Sequence, residues 1–195
     1  MNVKLFGIKN ITTLIASTII ICTFSINGLA GEVNLTKEID FIEVKSASSI
    51  IKVERNQDTN AVISGDFAKT SRPCPPFCAQ PIKVADGVKT IGEVELAQFM
   101  NSKMKDGRGI LVDARTPDWH IKGTIPGSIN IPYTDVNTAL GADELTVEDS
   151  MEVFGVKKTD DDKWDFSKAK ILVLWCNGPW CGQSPAAIKG LLSQG

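Results

Sequence analysis

Two short runs in this chain are apolar without interruption, and both end at residues able to do chemistry. Gly109 to Asp113 reads GILVD, and Ile171 to Trp175 reads ILVLW. A strand with one wet face alternates apolar and polar residues, whereas an unbroken run belongs to a strand buried on both faces of a parallel sheet. The residues between them carry helical and strand patterns in turn. Thr90 and Glu93 have capping-box spacing and predict a helix over 91–104, with Val94, Ala97, Met100 and Met104 on one face. Gly107 and Gly109 stop it. Residues 117–122 predict a helical turn, 125–132 (IPGSINIP) a tight turn into a third strand, and 146–154 a short helix. Alternation of this kind defines an α/β fold with right-handed crossovers. Residues 159–165 (TDDDKWD) read as a solvated acidic turn, because the spacing lacks the glycine and closing glutamate of a calcium loop.

Before this region the pattern changes. Ile39 to Val44 and Ile50 to Val53 are rich in β-branched residues and predict a hairpin, read as a cover over one sheet edge. Residues 71–81 (SRPCPPFCAQP) contain four prolines, which exclude helix and central strand and leave a rigid surface linker presenting Cys74 and Cys78 together. A structural disulfide is the favoured reading of that pair. A redox-active pair ranks below it, and metal binding is weak, since the single histidine of the chain, His120, is far away in sequence.

The first thirty residues have the pattern of an export signal. Lys4 and Lys9 precede an apolar stretch from Ile11 to Phe24, and Gly28-Leu29-Ala30 is a small-x-small cleavage site. The stretch is short for a membrane span, so the expectation is a periplasmic or secreted chain with no stable membrane anchor after signal removal. The organisation expected is thus 1–30 signal, 31–87 β extension and Pro/Cys linker, and 88–195 globular α/β domain. Of five cysteines, four remain beyond Cys22. An even number in an oxidising compartment suggests two disulfides, and local pairing, Cys74 with Cys78 and Cys176 with Cys181, needs the least rearrangement among three connectivities.

The second apolar run delivers Cys176 to a loop. Asn177, Gly178, Pro179 and Gly182 cannot continue a strand, and Ser184 with Pro185 suits the cap and first turn of a following helix. A helix N-terminus and loop amides at the carboxyl end of a parallel strand favour an anion. A cysteine lowered to a pKa near 6 there is about 90 per cent thiolate at pH 7, against about 3 per cent for a free one. Read from this stretch alone, a nucleophile and a buried or disulfide-bonded cysteine stand about level.

Charge narrows the partners. The chain has 21 Lys and Arg against 23 Asp and Glu, and losing the first thirty residues removes two lysines and no acids. With no basic cluster, nucleic acid is not an expected partner.

The combination LVDARTPDWHIKGTIPGSINIP followed by a strand ending in Cys176 resembles the rhodanese-like domain, from about Val88 onward. The RPCPPFC and CNGPWC stretches look similar to an exported bacterial subgroup of that family. The resemblance implies a parallel sheet with helices on both faces, five strands in the order 1-5-4-2-3, and sulfur transfer without metal or organic cofactor. Since the chain reaches Gly195 where the fifth strand is expected, it also implies a fragment of a longer chain, with an open edge at the strand from Ile171 to Trp175. Cys176 would carry sulfane sulfur from a donor such as thiosulfate to a thiol or protein acceptor. Independently of the resemblance, Cys181 is five residues after Cys176 in a loop bent by Gly178 and Pro179, which predicts a resolving thiol within disulfide range. Asn177, Gly178, Trp180, Gly182, Gln183 and Ser184 would line the substrate. Asp113 and Arg115 map onto a scaffold ion pair, with His120 at the surface and Thr124 affecting packing alone. No Arg or Lys lies between Cys176 and Ser184. The alternative is a non-catalytic binding module with a structural Cys176–Cys181 disulfide, or a thiol-disulfide exchanger.

Overall fold

A three-stranded parallel sheet sets the position of everything else. The computed structural model describes residues 32–46, 48–68, 73–79 and 83–195, and the expected export signal lies outside the described residues. Strand β3 (Gly109–Asp113) is central, with β4 (Ile129–Asn130) on one side and β7 (Ile171–Trp175) on the other, both parallel to it. Both apolar runs therefore form strands over the residues that the pattern picked out. β7 is less buried than its sequence suggests. Ile171 is half exposed and the rest of the strand is partly covered, because among the described residues no strand pairs with its outer edge.

Helices cover both faces. Helix α1 (Glu93–Phe99) continues into a π-helical turn, Met100–Met104, and packs on one face; α3 (Glu144–Val153) and α4 (Gln183–Leu192) pack on the other. The strand period of two sorts the side chains. Leu111, Val173 and Trp175 join Ala97, Phe99 and Met100, while Val112, Leu172 and Leu174 join Val147, Met151 and Ala187. Helix α1 starts later than expected, with Gly92 as N-cap and its amide donating to Glu95 Oε2 at 3.0 Å, so the capping carboxylate is Glu95 and Glu93 is a first-turn residue. That phase turns Val94 outward and buries Phe99 instead.

The hairpin is present, as antiparallel β1 (Ile42–Ser46) and β2 (Ser49–Val53), but it covers a face rather than an edge. Ile39, Ile42 and Val44 share one buried cluster with Ala97, Phe99, Met100 and Leu111, so the hairpin adds to the core on the α1 face of the sheet and belongs to the same unit, residues 32–195. Helix α3 begins two residues before the expected start, because Asp143 caps it by accepting from Thr146 N at 2.8 Å. The acidic turn sits at the tip of a small hairpin, β5 (Lys157–Lys158) and β6 (Trp164–Asp165), which the sequence reading missed.

Close approach of backbone to backbone locks α4 in place. A Cβ on Gly190 would collide with the Val136 carbonyl and with Asn137, and Asn137 Nδ2 donates to Ala186 O at 2.8 Å. The helix that follows the cysteine loop is thus seated on the segment that follows β4. Among the described residues, no helix is long and apolar enough to cross a membrane.

Candidate active site

Register brings two strand ends together. Asp113 is paired with Trp175, so the residues after each strand leave the sheet side by side, and Ala114 N donates to Trp175 O at 3.0 Å. One exit is a rigid polar knot. The other is the cysteine loop.

The knot is built on Asp113, whose side chain is fully buried. Arg115 grips it with two hydrogen bonds, Nε to Oδ1 at 2.8 Å and Nη2 to Oδ2 at 2.7 Å. His120 Nδ1 lies 2.9 Å from Oδ2, and Thr124 donates its hydroxyl to the same oxygen at 3.1 Å. His120 is brought there by the short helix α2 (Pro117–Lys122), which starts at the helix-compatible Pro117 and turns its last residues back toward the sheet. His120 is therefore part of the knot and not a surface residue, and Thr124 contributes a hydrogen bond as well as packing. Burial pushes the Asp113 carboxyl up, but the bonds from Arg115 and His120 outweigh it and hold the group below the usual carboxylate range. Asn130, unremarked in the sequence, ties β4 in by donating to the carbonyls of Asp113 and Arg115 at 2.9 and 2.8 Å.

Arg115 also supplies what the loop lacks. Its guanidinium lies 4.3 Å from the centre of the Trp175 ring, and Nη1 reaches Asn177 Oδ1 at 3.4 Å. Its pKa is raised first by the hydrogen bond to Asp113, and both Cys176 and Cys181 contribute to the same direction. A cation from the neighbouring strand end thus stands beside a loop with none of its own. Spacing along the chain gave no sign of it, because the two residues are 62 positions apart.

The loop itself folds tightly around Cys176. Cys181 N donates to Gly178 O at 2.9 Å, closing a turn that returns the chain to the strand end. Gly178 has φ +138°, and a Cβ there would lie 3.0 Å from the Trp180 ring, so the turn needs glycine on both counts. Ser184 does not cap the helix, whose N-cap is Gly182; it sits in the first turn with its hydroxyl 3.2 Å from Cys176 Sγ. Cys181 Sγ in turn lies 3.5 Å from Gln183 Oε1.

Those contacts decide the charge state of the two sulfurs. The Cys176 thiol is lowered to about 5 by a hydrogen bond from Cys181; burial opposes this, and Ser184 with the amides of Ser184 and Gly178 adds to it. Cys181 moves the opposite way, raised by the same bond and by burial. One proton is shared out unequally, so at neutral pH the pair is a thiolate at Cys176 and a thiol at Cys181. Both are free cysteines, and the one disulfide among the described residues joins Cys74 and Cys78, with Cα atoms 4.7 Å apart. The expectation of two disulfides is corrected accordingly. Each sulfur of the second pair has its own polar neighbour, Ser184 for Cys176 and Gln183 for Cys181.

Of the expected substrate-lining residues, Gly178 and Ser184 meet Cys176, Gln183 meets Cys181, and Asn177 meets Arg115. Gly182 caps the helix, and Trp180 lies over Gly178. Among the described residues no cluster of His, Cys, Asp and Glu is arranged to hold a metal. Parallel strands between covering helices, with Cys176 at a strand end beside loop amides and a helix start, define the chain as an α/β protein with a cysteine loop. A family profile described as "Rhodanese-like domain" matches residues 95–194, about half of the chain, and the chain belongs to that family. Among solved structures, the human single-domain sulfurtransferase TSTD1 is similar at 26% identity over 54% of this chain and 84% of that one, with a TM-score of 0.32. No curated protein matches.

Proposed function

We propose that the chain is an exported sulfurtransferase that carries sulfane sulfur on Cys176. The observation that carries this reading is the Cys176 thiol, held at about 5 by its hydrogen-bond partners. The thiolate attacks the outer sulfur of a donor such as thiosulfate; a sulfur–sulfur bond forms to Cys176, the donor's own breaks, and sulfite leaves with the electron pair. The persulfide anion keeps the negative charge where the Gly178 and Ser184 amides already point. Arg115 beside Asn177 favours approach of an anionic donor. A thiol or protein acceptor then takes the outer sulfur. No metal or organic cofactor enters these steps. Export rests on Lys4, Lys9, the Ile11 to Phe24 stretch and the Ala30 site.

The test is intact mass of the reduced protein after thiosulfate treatment. One added sulfur, or the loss of two hydrogens described below, is expected in the native chain, and no change in Cys176→Ser. A native chain that neither gains sulfur nor closes a disulfide, whatever sulfane donor is offered, would overturn the assignment.

A further inference from the structure

The two cysteines of the loop have different surroundings. An apolar groove of about 870 Å³ runs along the outer edge of β7, bordered by Val88, Ile91, Val173 and Ile188, and at its loop end by Cys181 and Ser184. Cys176 does not border it. Its sulfur lies 3.2 Å from the Ser184 hydroxyl and 3.5 Å from the Cys181 carbonyl.

We propose that Cys181 is a second catalytic thiol, which resolves the Cys176 persulfide internally and is then the sulfur at which an external dithiol reopens the pair. The proposal rests on the sulfur-transfer reading above and adds the fate of the sulfur. Cys176 Sγ lies 3.5 Å from the Cys181 carbonyl, and the turn closed by Cys181 N on Gly178 O carries both thiols on one loop. With a persulfide in place, the Cys181 proton passes to the outer sulfur, and Cys181 attacks the inner one. The Cys176–Cys181 bond forms, the persulfide bond breaks, and hydrosulfide leaves with the electron pair. Sulfane sulfur is reduced, and the two cysteines are oxidised to a disulfide. Turnover then requires a dithiol. One of its thiolates attacks Cys181 Sγ and expels the Cys176 thiolate, and its second thiol displaces Cys181, so that the dithiol ends as a disulfide. The direction follows from leaving-group strength. The sulfur with the lower pKa leaves faster, and in this pair that sulfur is Cys176. The chain thereby couples sulfane-sulfur reduction to the oxidation of a dithiol partner.

The experiment treats reduced native chain and Cys181→Ser with thiosulfate, after removal of free reductant, and follows mass and hydrosulfide. Cys181→Ser should hold one added sulfur on Cys176, while the native chain should lose two hydrogens and release hydrosulfide in equal amount. Glutathione added to the oxidised native chain and quenched in acid should be found on Cys181. If Cys181→Ser gains no sulfur, the sulfur-transfer reading fails and this proposal with it. If it gains sulfur but the native chain keeps its persulfide and forms no disulfide, that reading stands and the internal resolution is overturned. A glutathione adduct on Cys176 overturns the direction of reopening.

Discussion

Two cysteine pairs of nearly equal spacing end in opposite states. Cys74 and Cys78, four residues apart, form a disulfide, whereas Cys176 and Cys181, five apart, are free thiols. The first pair sits in a proline-rich exposed loop, where Pro75 and Pro76 limit the backbone. The second sits between a strand end and a helix start, where each sulfur has a polar neighbour within reach: Ser184 for Cys176 and Gln183 for Cys181. Spacing governs whether two sulfurs are able to meet. Surroundings govern whether they are held as a bond or as an acid and its base.

The sharpest way to break this contrast is to exchange the roles. Cys176→Ser should lower sulfur loading from thiosulfate by a factor on the order of 10³ or more, as removal of a nucleophile does, while the double variant Cys74→Ser, Cys78→Ser should load like the native chain. Loss of loading in the double variant would mean that the two pairs exchange disulfides.

The next effect falls on the knot that flanks the loop. Asp113→Ala leaves Arg115 buried without its carboxylate and should cost about 3–5 kcal/mol in denaturant unfolding. It should also slow thiosulfate loading, since Arg115 is then free to leave Asn177. A loss under about 1 kcal/mol would show that the Ala114–Trp175 bond and the Asn130 bonds to backbone carbonyls hold the strand ends without the carboxylate.

Opening the exposed pair should matter less and in a different place. On the chain-entropy view a loop as short as that between Cys74 and Cys78 is worth roughly 2 kcal/mol. The double serine variant should therefore unfold at lower denaturant, with the Cys176 alkylation rate unchanged.

The smallest effect concerns pH. Thiolate alkylation of Cys176 by iodoacetamide should rise with pH through a midpoint of about 5 and be flat by neutrality, because the folded-state pKa is depressed. Cys181→Ala removes the largest contribution to that depression, so the midpoint should move up by about one unit, roughly tenfold in rate on the acid limb. Cys181→Ser keeps a hydroxyl donor and should recover part of the shift. An unmoved midpoint in both variants would assign the depression to Ser184 and the amides alone.

Where the sequence reading succeeded and where it slipped has a common cause. β3 and β7 were legible to the residue because an unbroken apolar run bounded by Gly109 and Asp113, or by Lys170 and Cys176, has one way to be buried. Helix starts were less so: Ser184 looked like a cap, but its hydroxyl turned to Cys176 instead of the helix amides. The hairpin was recognisable from its β-branched runs, yet nothing along the chain said that Val44 would join Met100 and Leu111 in one buried cluster.

What the sequence by itself determined is the alternation of helix and strand and the delivery of Cys176 to a glycine-rich loop at a strand end. Periodicity and glycine conformational freedom act over a few residues, so they are written locally. The tertiary structure alone decided that Arg115 would serve the loop, that His120 and Thr124 would converge on Asp113, and which of two cysteines holds the negative charge. Those outcomes depend on the register of β3 against β7 and on burial of the groups concerned. Hydrogen bonds between residues as far apart as Arg115 and Asn177 exist only once the sheet has set that register.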